Sequence, residues 1–209
     1  MNSEFSPDDI QTLSLSEAIR KRPRLYFEKC FNEQSLDSLP FEVLCHAFDE
    51  YFDAACRKIE ITVFNDSFLV HYDAGISLDA KDGYEELTKA EVIMTMQFAC
   101  RNEKKHLAVG EEFCSLGMAI INMAAESCEL ATQCKGVKGN FTFEKGILQT
   151  REITAASSEE EFTSLRVKPD PSLFEGLSFT AEGINKRATA ISARLEGLTI
   201  LVHNTIQPV

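Results

Sequence analysis

Apolar residues recur along this chain with two periods, and the switches between them mark the elements. In residues 41–57, Phe41, Leu44, Phe48, Tyr51, Phe52 and Ala55 return at three- and four-residue steps, which predicts an amphipathic helix. Residues 58–64 then alternate strictly. A turn at Asn65, Asp66 and Ser67 leads into a second strand over 68–72, so the pattern predicts a hairpin. Helical spacing returns in 88–101 and 116–126. Strand-like stretches follow at 128–133, 140–144, 147–152 and 164–168, the first three separated by Lys-Gly turns. The polar run 155–161 reads as a solvated loop. A helix over 183–195 feeds a last strand over 198–203. Upstream, residues 14–20 start a short helix that must end near Pro23. No repeat or linker interrupts the order. The expectation is one α+β domain over 1–209, with helices covering an antiparallel or mixed sheet and residues 1–12 forming an acidic arm.

Composition narrows the classes of function. The 209 residues carry 21 Lys and Arg against 33 Asp and Glu, a formal net charge of −12. Nonspecific coating of nucleic acid would have to overcome net repulsion, so it is not expected. The longest apolar runs fall well short of the ~20 residues that cross a bilayer. The N-terminus lacks the basic start and apolar stretch of a signal peptide, and a cytoplasmic location is expected. Seven cysteines, with no Cys-x-x-Cys pair and no His at zinc-finger spacing, read as reduced and mostly buried thiols. Cys45 and His46 are adjacent, but consecutive side chains on a helix diverge, which argues against a catalytic pair.

Three stretches could carry chemistry. On the 41–57 helix, His46, Glu50, Asp53 and Arg57 fall opposite Phe48, either as a solvated face or as one wall of a cleft where a carboxylate could orient water. At the end of the hairpin, Asp73, Ala74 and Gly75 make a plain turn. The run Gly110-Glu111-Glu112-Phe113-Cys114-Ser115-Leu116-Gly117 opens an apolar helix, but with two acids and few glycines it makes a poor phosphate cradle and reads equally as an N-terminal cap.

Taken in order, these stretches resemble the N-terminal ATPase domain of the DNA gyrase B subunit and its topoisomerase IV counterpart. Those proteins belong to the gyrase, heat-shock chaperone, histidine kinase and MutL superfamily. The likeness starts at Ser16-Glu-Ala-Ile-Arg-Lys-Arg-Pro-Arg-Leu-Tyr26, against the family's Arg-Lys-Arg-Pro-Gly-Met-Tyr. It continues through Ala90-Glu-Val-Ile-Met-Thr-Met96, Gly117-Met-Ala-Ile-Ile-Asn122, Glu129-Leu-Ala-Thr-Gln133 and Thr163-Ser-Leu-Arg-Val167. The implied fold is a Bergerat-type two-layer sandwich, with helices on one face of a mixed, mostly antiparallel sheet.

The resemblance also assigns roles, and this chain departs from several of them. In the family's Glu-x-x-Asp-Asn motif the Glu activates water and the Asn helps bind magnesium. Here Glu50 stands as candidate general base, read as vestigial, but Ala54 replaces the Asn and offers a metal no oxygen. The Asp-x-Gly-x-Gly motif, whose Asp holds the adenine amino group, becomes Asp73-Ala74-Gly75-Ile76-Ser77. Thr163 matches the threonine that supports the adenine-site water. In the glycine-rich ATP lid only Gly117 is kept, beside Glu111, Glu112 and Ser115. A carboxylate within ~5 Å of a phosphate charge would repel it by roughly 3 kcal/mol at an effective dielectric of ~20. Two such contacts rival the ~8 kcal/mol of micromolar binding.

Asp73, Gly75, Thr163 and Gly117 are therefore the candidate adenine and phosphate positions, and no metal ligand is assigned. Phe5 stands where the family's dimerising arm carries a tyrosine, which argues against an arm-mediated homodimer. The expectation is a stand-alone degenerate domain, a pseudo-ATPase serving as a protein-interaction or regulatory module, with a protein partner, no cofactor, no membrane and no nucleic acid. The alternative is an ATP-binding domain with weak magnesium-dependent hydrolysis, in which Asp53 helps hold the metal. The basic run 20–24 is read as a structural segment whose arginines pair with local acids.

Overall fold

The computed structural model describes residues 12–81, 83–97, 99 and 114–206. Glu111, Glu112, Phe5 and Cys100 lie outside the described residues. Ser14 opens α1 (Leu15–Lys21) with a reciprocal capping box: its hydroxyl accepts from the Glu17 N–H, and the Glu17 carboxylate accepts from the Ser14 N–H at 2.8 Å. Pro23 takes the first position of α2 (Pro23–Tyr26), where its missing N–H costs no helical bond. Next come α3 (Glu28–Glu33), α4 (Leu39–Glu42) and α5 (Cys45–Phe52).

The single helix expected over 41–57 is thus two shorter ones. The Phe41 carbonyl, which a continuous helix would give to the Cys45 N–H, accepts instead from the Leu44 N–H at 3.2 Å and from the Cys114 thiol at 3.3 Å. At the other end α5 stops at Phe52, and Ala54 takes the left-handed conformation at φ +62°. A tertiary contact and a backbone reversal override the apolar spacing.

The predicted hairpin is β1 (Lys58–Val63) with β2 (Phe68–Tyr72), antiparallel. Next in sequence stand β3 (Ala80–Lys81) and β4 (Tyr84–Thr88), a small separate sheet that the sequence pattern does not announce. Thr88 and Glu91 form a second capping box at the start of α6 (Lys89–Thr95). Gly117 precedes α7 (Met118–Ala124). Then come β5 (Ala125–Cys134), β6 (Val137–Glu144), β7 (Ile147–Ala155), β8 (Phe162–Pro169), α8 (Ala181–Ser192) and β9 (Thr199–Asn204).

The main sheet runs β7-β6-β5-β8-β2-β1-β9, antiparallel throughout except that β9 lies parallel to β1. Its inward face is built in rows. Ile61, Val70, Leu165, Leu130 and Phe141 sit side by side across five strands, all buried, beneath the helices. One continuous core cluster reaches from Ile19 on α1 to Leu198 just before β9. The arrangement is the α+β sandwich that the resemblance implies, with helices on one face of a mixed, mostly antiparallel sheet. Among the described residues no helix is long and apolar enough to cross a membrane. The six described cysteines are free and buried, and burial raises Cys30 and Cys134 to about 11.

Candidate functional site

A strand has one inward residue in two, and at the end of β2 the inward residue is Tyr72. Phe68, Val70 and Tyr72 are buried on the helix side, so the next residue, Asp73, emerges exposed. In register, Tyr72 belongs to an inward row of Ile59, Tyr72, Thr163, Thr132 and Gly139. Its phenol reaches His46 Nδ1 on α5 at 3.2 Å. His46 Nε2 in turn lies 3.4 Å from Glu50 Oε1, one helical turn on. Burial, reinforced by Lys89, lowers the imidazole pKa to about 3, so His46 is neutral. The tautomer that serves both neighbours carries its hydrogen on Nε2, donates to Glu50 and accepts from Tyr72.

The face holding His46, Glu50, Asp53 and Arg57 is therefore split. His46 is 4% exposed and sealed, Glu50 is half-buried, and Asp53 and Arg57 are exposed. Burial raises the Glu50 carboxyl above its ordinary range; Lys89 works against this, while Asp53, Asp49 and Glu161 add to it. A carboxylate so placed can take up a proton more readily than a solvated one. Ala54, at the position of the family's magnesium ligand, lies beyond the end of α5, exposed and left-handed.

Asp73 has work of its own. Its Oδ1 accepts from the backbone N–H groups of Arg57 at 2.9 Å and Lys58 at 3.0 Å, fixing the start of β1 against the end of β2. Partial burial pushes its carboxyl up, but the Lys58 and Arg57 N–H groups and the Cys56 thiol outweigh that and hold it below the usual range.

Thr163 is fully buried and donates to the Ala74 carbonyl at 2.7 Å. Thr132, 3.0 Å from Thr163, accepts from the Ile76 N–H at 2.8 Å. The two threonines pin residues 74–76 to the sheet, and Ile76 itself is fully buried. Gly75 is required there for space, because a Cβ would overlap the Gln133 carbonyl. Gly117 is kept for a different reason: its φ is +81°, with nothing near a Cβ.

Just before α7, the Glu42 carboxylate from α4 accepts from the Leu116 N–H at 2.9 Å and lies 3.4 Å from the Ser115 hydroxyl. Glu42 is 3% exposed, and burial raises its carboxyl to about 7 despite the Leu116 N–H. Sequence reading missed Glu42, Tyr72 and Thr132. The alternation of Phe68, Val70 and Tyr72 was the one signal available for Tyr72; nothing local marks Glu42.

Fitted against ATP and magnesium, these residues give a mixed result. Glu50 is half-buried beside His46, Ala54 offers no oxygen to a metal, and the Asp73 Oδ1 is engaged by backbone. Among the described residues no group of three or more His, Cys, Asp and Glu side chains is placed to hold a metal ion.

No protein-family model matches the chain. It is 26% identical over 206 residues to the DNA gyrase B subunit of Haloferax volcanii, covering 95% of this chain and 32% of that protein. It is 28% identical over 201 residues to the DNA topoisomerase 4 B subunit of Caulobacter vibrioides, covering 94% and 29%. The DNA gyrase B subunit of Clostridium acetobutylicum is 24% identical over 201 residues, covering 95% and 31%. The chain spans about a third of the length of the curated relatives it matches. The resemblance to the ATPase domain of the gyrase and topoisomerase IV B subunits thus extends over nearly the whole chain.

Proposed function

We propose, from this chain-long likeness to the B subunits of gyrase and topoisomerase IV, that the protein is a degenerate gyrase-B-like ATPase-fold domain. In this reading it is a pseudo-ATPase that has kept the scaffold as a protein-interaction or regulatory module. The observation that carries the reading is the phase of β2. The inward position is filled by the Tyr72 ring hydrogen-bonded to His46, while Asp73, the candidate adenine reader, is exposed and spends Oδ1 on the N–H groups of Arg57 and Lys58. An adenine amino group needs a free, inward carboxylate oxygen, because a buried donor left without a partner costs about 1–3 kcal/mol. The buried Ile76 and the oxygen-free Ala54 support the same reading. Calorimetric titration with ATP and magnesium tests it. No heat at millimolar nucleotide is expected; micromolar binding abolished by Asp73→Ala would overturn it.

A second reading, an ATP-binding domain with weak magnesium-dependent hydrolysis, is favoured by one observation. Glu50 retains a raised carboxyl pKa beside a neutral His46, an arrangement suited to a general base. The same titration separates the two readings. The protein partner, the absence of any role for nucleic acid and the cytoplasmic location belong to the first reading as proposals.

A further inference from the structure

The run Arg20-Lys21-Arg22-Pro23-Arg24 divides into one structural arginine and three cations that face outward. Arg20 is internal: its guanidinium is paired with Asp170 and donates to the Met123 carbonyl at 3.2 Å. Lys21, Arg22 and Arg24 are exposed and line a surface cleft of about 550 Å³ between α1, α2, α3 and the turn after β8. Neither Lys21 nor Arg22 is paired with an acid among the described residues. Glu175 is the acid in the lining.

The cleft also carries apolar side chains. Leu25, 69% exposed, is the most exposed large apolar side chain among the described residues, and half-buried Phe31 lies beside it. Its walls are tied together by side-chain contacts. Arg24 sits 4.6 Å from the centre of the Phe31 ring, Phe31 stacks on Phe174 at 6.2 Å, and Phe174 meets Phe27 edge-on at 5.0 Å. The opposite wall is fixed by Asp170, whose carboxylate accepts from the Ser172 N–H at 2.9 Å and from its hydroxyl at 2.6 Å. A preformed cleft loses little entropy when it is filled.

We propose that this cleft is a docking groove for a short acidic peptide segment of a partner protein, with its carboxylates on Lys21, Arg22 and Arg24 and an aliphatic side chain on Leu25. Charge complementarity selects this occupant. Three outward cations gather on a protein of net charge −12, so the patch attracts an anionic segment that the overall charge opposes. A nucleic-acid strand carries charge along its whole length, which the net charge of −12 opposes, and the Phe31 ring is already covered by Arg24 and Phe174. The inference rests on the interaction-module reading for its biological sense and gives that module a partner chemistry.

The test is fluorescence anisotropy with a labelled peptide, Glu-Glu-Leu-Glu-Glu-Leu-Glu-Glu, at physiological salt. Saturable binding is expected, weakened about tenfold by the double variant Arg22→Glu, Arg24→Glu and weakened also by Leu25→Ser. These positions are exposed, and unchanged melting curves would show that the variants fold. Equal affinity of the charge-reversed variant, equal binding of an all-Glu peptide, or tighter binding of a single-stranded oligonucleotide of matched charge would each overturn the proposal. A parallel titration with ATP and magnesium keeps the two ideas apart: nucleotide binding would sink the pseudo-ATPase reading and leave the peptide result standing.

Discussion

The Tyr72 hydroxyl and His46 Nδ1 meet 3.2 Å apart across the buried seam between β2 and α5. Both residues are almost wholly buried, so the contact is not replaced by water when it is lost. Tyr72→Phe should lower stability by about 1–2 kcal/mol, read as a shifted urea midpoint with an unchanged slope. His46→Phe with Tyr72→Phe should cost less than the two single changes summed.

Glu42 sets a pH dependence. Its folded-state pKa of about 7 lies above the ordinary 4.5, so the folded protein binds the extra proton between those values. Stability should therefore fall as pH rises through that window and level off above it, by roughly 3 kcal/mol at most. Glu42→Gln retains an acceptor for the Leu116 N–H and removes the charge. It should flatten the curve of melting temperature between pH 5 and 7 and stabilise the protein at pH 8.

Asp73 gives the opposite sign. Its folded pKa is depressed, so its contribution is present above the unfolded value and is lost as pH falls through the folded one. Asp73→Ala should weaken the protein slightly at pH 7, and the difference from the parent should shrink as pH falls through the folded-state pKa. The carboxylate is exposed, which keeps the effect small.

Restoring the missing asparagine should not restore a metal site. Ala54 has φ +62°, a conformation that Asn tolerates better than Ala does. Ala54→Asn is expected to leave the melting temperature unchanged or raise it by a degree or two, with no added stabilisation by magnesium and ATP. A magnesium-dependent gain in nucleotide affinity would contradict this.

Arg20 and Arg22 should behave differently despite standing two residues apart. Arg20→Ala removes a hydrogen-bonded ion pair to the 5%-exposed Asp170 and should cost about 2 kcal/mol. Arg22→Ala should fall within about 0.5 kcal/mol of the parent protein. Denaturant titration of the two variants side by side reads the difference.

Much of the fold was legible because strand alternation and capping are local. Residues 58–72 read directly as a hairpin, and residues 14–20 as a short helix. The break between α4 and α5 was not legible, since it depends on Cys114, 73 residues from Phe41 in sequence. The site was less legible than the fold. A motif match at Asp73 says nothing about its burial or its backbone partners, which follow from the alternation of Phe68, Val70 and Tyr72 and from the N–H groups of Arg57 and Lys58. The pairing expected throughout the basic run holds for Arg20, because Asp170 arrives from the end of β8.

The parallel pairing of β1 with β9 sets the order in which the sheet can assemble. Lys58 must wait for Thr199, about 140 residues later, before that side of β1 acquires a neighbour. During vectorial synthesis the hairpin can close early, but one flank of it stays open until β9 leaves the ribosome. Contacts this distant along the chain are slow to form, and an unpaired strand rich in Ile and Val is the place where a nascent or truncated chain would associate wrongly.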